Sequence, residues 1–417
     1  MSTHLTKRLA VLVVAGSLAT STAWTQSTQC TTTDGHVRPG IEALLADSLS
    51  LLRGKRVGLI TNHSGRDRAG TSTIDLLHKA PGVRLTALFG PEHGIRGVEK
   101  AGAKIGNSVD SATGVRVYSL YGDTRVPTSE MLAGIDVLVY DIQDVGARVY
   151  TYPWTLALSA EAAAKAGKKF VVLDRPNPIR NDRIDGGVLN AAYRSFVGLY
   201  PVSARYGMTP GELLRYLVGT KQLVADIAVV PMCGYTNRMW YDETGIPWYN
   251  PSPNLRTMDA ALLYPGTVFF EGTTLSEGRG TDAPFTQAGA PWLTDAQTIA
   301  TALNARQLPG VHFDAAWRTV ETGYKHGGLT IPMVRVRITD RDVVKPVDVG
   351  AWMLREIYRR HPREFEWREQ SMDRLSGGDR LRRAVQASDD AVAAVLGTFQ
   401  TESADFAQQV SPYRLYR

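Results

Sequence analysis

Arg56–Thr61 reads RVGLIT and runs into Asn62-His63-Ser64-Gly65, an apolar segment that stops at a polar, glycine-closed loop. The same figure returns three times. Arg84–Phe89 (RLTALF) stops at Gly90-Pro91-Glu92-His93-Gly94, and Asp136–Tyr140 (DVLVY) at Asp141-Ile142-Gln143-Asp144-Val145-Gly146. Lys169–Leu173 (KFVVL) stops at Asp174-Arg175-Pro176-Asn177-Pro178. Short runs without polar alternation are the mark of strands buried on both faces. Helical stretches stand between them at Thr71–Lys79 and Pro153–Ala166. Strands alternating with helices argue a parallel sheet with right-handed crossovers, a doubly wound α/β fold.

Working outward, Thr209-Pro210-Gly211-Glu212 predicts a helix start, with Thr as N-cap, Pro at the first helical position and Glu closing a capping box. Asp226–Pro231 predicts a further strand, and beyond it the pattern changes. Residues 233–291 are rich in Gly, Pro, Tyr and Trp with little periodicity, as functional loops tend to be. Val334–Ile338 alternates like a half-exposed strand, and Val347–Arg360 and Asp389–Leu396 read as amphipathic helices. The expected division is a leader at 1–23, an α/β domain at 39–230 and a smaller α+β domain at 231–417.

The leader reading rests on Lys7 and Arg8, the apolar run Leu9–Leu18, and the small residues Ser21, Thr22 and Ala23. It predicts an exported chain, periplasmic or secreted, that begins near Trp24 and does not insert in the membrane. The two cysteines, Cys30 and Cys233, lie in no zinc-like spacing, and that compartment permits a disulfide between them. With 47 Lys+Arg, 41 Asp+Glu and 43% hydrophobic residues, the chain is neither disordered nor fibrous. Its basic residues are scattered, which argues against a nucleic-acid partner.

Chemistry is expected where parallel strands end. His63, Glu92 with His93, Asp141 with Asp144, and Asp174 with Arg175 all fall there. Crowded, buried carboxyls raise one another's pKa, so that one can donate a proton near neutrality. Glu92 suits that role, since Glu has poor turn chemistry in Gly-Pro-Glu-His-Gly. Asp144 and Asp174 equally suit helix caps, and Asp141 suits bonding to loop amides. The loops 251–257 and 271–285 add Asn254, Arg256, Glu271, Glu277 and Arg279. An arginine fork there would hold a carboxylate, and Trp240, Trp248 and Tyr249 would either stack on a sugar or pack the junction. No G-x-S-x-G, P-loop, H-E-x-x-H or G-x-G-x-x-G after the first strand is present, which favours carboxylate-driven hydrolysis of a glycoside.

The strings LITNHSG (59–65), FGPEHGIRG (89–97), YDIQDVGARVYTY (140–152), VLDRPNP (172–178), SPNLRT (252–257) and FFEGTTLSEGRGTDAPF (269–285) resemble the YbbC/NamZ family. The likeness runs from Pro39 to Tyr416. It implies a Rossmann-like domain with a smaller C-terminal domain, no metal or organic cofactor, and exo-lytic β-N-acetylmuramidase activity, that of glycoside hydrolase family 171. The substrate class so implied is muramic acid glycosides derived from peptidoglycan. The family's catalytic Glu falls on Glu92. On that reading Glu92 is the general acid and His93 orients it or tunes its pKa. Asp141 or Asp144, otherwise Glu271 or Glu277, is the second group, unless the substrate's N-acetyl group attacks. Asn62, His63, Asp174, Arg175, Asn254 and Glu277 are expected to bind substrate, with Arg256 or Arg279 on the lactyl carboxylate. The rival readings are a periplasmic carbohydrate-binding protein and a hydrolase of another amino sugar.

Overall fold

The computed structural model describes residues 30–33, 35–91, 95, 108–122 and 124–417. Along the chain the strands are β1 (Arg56–Thr61), β2 (Arg84–Gly90), β3 (Ser108–Val109), β4 (Arg116–Ser119), β5 (Val137–Asp141) and β6 (Lys169–Leu173). They continue as β7 (Asp185–Val188), β8 (Ser203–Arg205), β9 (Ile227–Val230), β10 (Gln287–Gly289), β11 (Val311–Thr319) and β12 (Thr330–Ile338). Seven form the central sheet in the order β3-β4-β2-β1-β5-β6-β9. Only β3 runs antiparallel to its neighbour. The parallel strands therefore build outward from β1 in both directions, and the order reverses between β1 and β5.

Burial explains the unbroken apolar runs. Successive side chains leave a strand on opposite faces, so a strand covered on both sides has no polar alternation to show. Val57, Leu59, Leu88, Val139, Val171 and Leu173 enter one core with Ile41, Leu44, Ile74 and Leu77. Ile60, Ala87, Phe89, Leu138, Phe170 and Val172 enter a second core, which continues under the helices Tyr152–Lys165 and Pro210–Gly219 into the C-terminal half. The expected capping box is present: Thr209 accepts from the Glu212 backbone and Glu212 answers to the Thr209 backbone.

The C-terminal half holds the antiparallel sheet β10-β12-β11 and the helices Ala296–Ala305, Pro346–Arg360 and Asp389–Val410. The last helix runs well beyond the expected Leu396, because Phe399, Phe406 and Val410 keep its buried stripe going past Gly397. It grips the β7–β8 hairpin of the first half: Ser403 Oγ donates to Gly186 O at 2.8 Å, and Glu402 accepts from Val188 N at 2.9 Å. The chain end returns further still. Leu415 N donates to Glu212 at 2.7 Å and Tyr416 Oη to Asp174 at 2.7 Å. Cys30 and Cys233 form a disulfide beyond the end of β9. The expected leader, residues 1–23, lies outside the described residues.

Candidate active site

At the carboxyl ends of β1 and β5, where strand order reverses, the space is taken up by the protein's own polar groups. Asp141, the last residue of β5, is fully buried, as is Arg175 beyond β6. The two form a bidentate pair, with Arg175 Nη2 at 2.9 Å from Asp141 Oδ2 and Arg175 Nε on Oδ1. Thr73 Oγ1 donates to Asp141 as well, and Arg175 Nη2 also donates to Arg66 O at 2.8 Å. Asn62 is tied to Tyr152 Oη at 2.9 Å and accepts from Ser64 N and Oγ. Ser64 Oγ in turn accepts from Gln143 N at 3.0 Å. His63 Nε2 lies 2.6 Å from Asn250 O. This network ties the strand ends together.

Asp144 and Asp174 are buried in the same way. Asp144 accepts from Tyr206 Oη and from Gly146 N at 2.8 Å. Gly146 sits at φ 74°, where a Cβ would lie 2.4 Å from Asn177 Oδ1, so the turn that aims Asp144 requires glycine. Asp174 accepts from Gly211 N at 2.8 Å, Thr209 Oγ1 at 2.7 Å and Tyr416 Oη. It thus reaches the N-terminus of the helix Pro210–Gly219, the capping use that its position after a strand also allowed. Asp141, Asp144, Asp174, Arg175 and Asn62, expected in catalytic and binding roles, thus all make hydrogen bonds within the fold. All five are at most 3% exposed and none lines the open cleft described below, although Asp144 Oδ1 is buried with no hydrogen-bond partner among the described residues.

Burial pushes the Asp174 carboxyl up to about 7 and that of Asp144 to about 6, against the hydrogen bonds that favour ionisation. In the unfolded chain both would titrate at about 3.9, so folding takes up protons between about pH 4 and 7. The resulting stability is present at the acid end and is lost as pH rises through 6 to 7. The thermal midpoint is therefore expected to fall from pH 5 to pH 8, with a smaller slope in Asp174→Asn. A flat or rising midpoint over that range would contradict the assignment.

The open space lies beside this network. β2 ends at Gly90, which pairs with Ser119 of β4 and accepts from Leu120 N at 2.8 Å. The next residue, Tyr121, lines a cleft of about 320 Å³. Val149, Tyr150 and Thr151 line it from beyond β5; Ser252, Asn254, Tyr264, Glu271, Arg279 and Phe285 line it from the second half. Glu92 and His93 follow Pro91 in the chain and lie outside the described residues.

The cleft walls combine an aromatic run with a charged pair. Tyr150, Tyr264 and Phe285 meet edge to face, with centroids 6.0 and 4.8 Å apart. Arg279 lies over Phe285 at 5.2 Å and donates to Glu271 at 2.6 Å. Desolvation raises the Glu271 carboxyl above its usual range, helped by Glu277, while Arg279 opposes the shift. Asn254 is 4% exposed, and its Oδ1 is buried with no hydrogen-bond partner among the described residues. A buried acceptor without a partner is costly, so a donor from a ligand fits there.

Two expected residues stand behind or beyond this wall. Glu277 is 5% exposed and lies between Arg279, at 3.4 Å, and Lys325 Nζ, at 3.1 Å. Arg256 is exposed, donates to Pro253 O at 2.8 Å, and faces a separate hollow. Of the two arginines expected to meet a carboxylate, only Arg279 lines the cleft. Trp240 donates to Asp342 at 3.1 Å and Trp248 packs on Tyr241, so both serve the junction; Tyr249 lies under Arg66. Of the cleft aromatics that sequence reasoning passed over, Tyr150 carried a signal in the Val-Tyr-Thr-Tyr run after β5, and Tyr264, inside the helix Met258–Thr267, carried none.

Lys325, on the β11–β12 connection, holds the loop that carries the charged pair. Its Nζ donates to Phe270 O, Thr273 O and Leu275 O at 3.1, 3.2 and 2.9 Å, besides Glu277. Lys325→Met leaves those acceptors without their cation. Because misplacing a reacting group by 1 Å costs about 100-fold, turnover is expected to fall at least ~10-fold. Arg at this position should recover part of the loss, and unchanged turnover would contradict the positioning role.

The arrangement is a strand-end cleft with carboxyl, guanidinium and amide groups on an aromatic base, beside a hydrogen-bonded switch point. Comparison with known proteins gives the family. The model for Exo-beta-N-acetylmuramidase NamZ, N-terminal, matches residues 57–259, and that for its C-terminal part matches 262–416. The chain belongs to the NamZ family. It is 41% identical over 406 residues to the Peptidoglycan beta-N-acetylmuramidase NamZ of Bacillus subtilis (strain 168), covering 97% of each chain. A solved DUF1343 family protein from Bacteroides fragilis NCTC 9343 superposes with a TM-score of 0.85 at 37% identity, covering 92% of this chain and 99% of that one. A second from the same organism gives 0.72 at 29% identity, covering 91% and 99%.

Proposed function

We propose that this chain is an exo-acting glycoside hydrolase that releases N-acetylmuramic acid from the non-reducing ends of peptidoglycan fragments. Family membership supports the activity, and the Glu271–Arg279 pair beside the unpartnered Asn254 Oδ1 carries the reading for the site. In this mechanism Glu92 protonates the glycosidic oxygen, and His93 orients it. Glu271 is the second carboxyl, because it lines the cleft and Asp141 and Asp144 do not. Arg279 takes the lactyl carboxylate that separates muramic acid from glucosamine, and the aromatic base accepts the sugar's apolar face.

We further propose that the protein is exported and acts outside the cytoplasm, which suits both its substrate and the Cys30–Cys233 disulfide. No helix among the described residues is long and apolar enough to cross a membrane. Digestion of defined glycan chains tests the exo action. Free N-acetylmuramic acid is expected as the first sugar product; internal cleavage into oligosaccharides would overturn it.

A further inference from the structure

Arg256 and Arg335 face a second hollow, of about 350 Å³, that shares two walls with the cleft. Asn254 and Leu255 line the cleft while Arg256 and Thr257 line the hollow, and Phe285 lines the cleft while Pro284 and Thr286 line the hollow. Consecutive Cα atoms are about 3.8 Å apart, so the two spaces lie within reach of a single oligosaccharide. The hollow rests on the outer face of β12, from which Arg335 and Arg337 project opposite Asp314 and His312 of β11.

Its charges do not cancel. Arg337 is engaged by Asp314, and Asp282 by Arg318 at 2.9 Å. Among the lining residues that leaves Arg256 and Arg335 against the exposed Asp259, with Asp314, across from Arg335 on β11, shared between Arg337 and Arg335. Arg335 Nε is buried with no hydrogen-bond partner among the described residues, a donor that burial makes costly to leave unused. A guanidinium with open donors beside a second one matches a carboxylate bidentately.

We propose that this hollow is a second binding site, which takes a carboxylate carried by the glycan beyond the scissile bond. The proposal rests on the glycosidase reading and deepens it. The cleft holds the terminal muramic acid, while Arg256 and Arg335 hold the acidic substituent of the next muramic acid along the chain. That substituent is a free lactyl carboxylate or the carboxylate of an attached peptide. The site would make the enzyme prefer polymer fragments over small glycosides.

The test compares three substrates in Arg335→Gln and in the exposed Arg256→Gln: a chromogenic N-acetylmuramide, a peptide-free glycan fragment and a peptide-bearing one. Loss of a charge-assisted hydrogen bond predicts a KM about 10-fold higher for the fragments, with kcat kept and the small muramide unaffected. A penalty already present on the peptide-free fragment assigns the lactyl carboxylate; one confined to the other fragment assigns the peptide. Equal losses on all three substrates would overturn the proposal, as would no loss on any. Failure of the unaltered enzyme to hydrolyse the small muramide would instead sink the glycosidase reading.

Discussion

Glu92→Gln is expected to lower turnover of an N-acetylmuramide by about 10²–10⁴-fold, the range that one positioned general acid contributes. Gln is nearly isosteric, so binding and folding should persist, and KM should change little while kcat collapses. The effect should shrink with an activated aryl leaving group, which departs without protonation, and grow with a natural sugar leaving group. That dependence separates loss of an acid from loss of a structural contact. Turnover within a few-fold of the unaltered enzyme on the natural glycan would refute the role.

Arg175→Met is expected to be the most destabilising single change at the strand ends. It strips the cation from Asp141, whose carboxylate is fully buried, and removing one member of a buried pair costs about 3–5 kcal/mol. Asp141→Asn in the same background should recover much of the loss, since an amide needs no counter-charge and can still meet Thr73. A substrate-binding Arg175 would behave differently, raising KM in a protein of ordinary stability. Thermal midpoints of the two single variants and the double variant, set beside KM, decide between these cases.

The fold was legible because its strands are covered on both faces. β1 and β6 begin and end where their apolar runs do, and β2 and β5 differ by one residue. β4 was not legible, since Arg116-Val117-Tyr118-Ser119 near the sheet edge is only partly buried and reads as loop. The β7–β8 hairpin was missed for a related reason: Asp185-Gly186-Gly187-Val188 has no strand pattern and is made into one by the C-terminal helix closing over it.

The site divides along the same line. Asp141 and Asp174 were found at strand ends, but the same acidic residue after a strand serves a cleft, a cap or an ion pair. What distinguishes these is the partner brought by a distant segment: Arg175 for Asp141, and the chain terminus, through Tyr416, for Asp174. Glu271 and Arg279 were legible as chemistry, yet their pairing across eight residues depends on Lys325 gathering the loop. Tyr150 and Tyr264 became visible only once the two halves were brought together.

The most direct measurement follows hydrolysis of matched chromogenic β-glycosides of N-acetylmuramic acid and N-acetylglucosamine, with proton NMR of the sugar first released. The account predicts rapid release of N-acetylmuramic acid as a single first-formed anomer, little action on the glucosaminide, and a loss in Glu92→Gln that is smaller on the chromogenic muramide than on the natural glycan. Equal rates on both glycosides, or no release from the muramide, would contradict it.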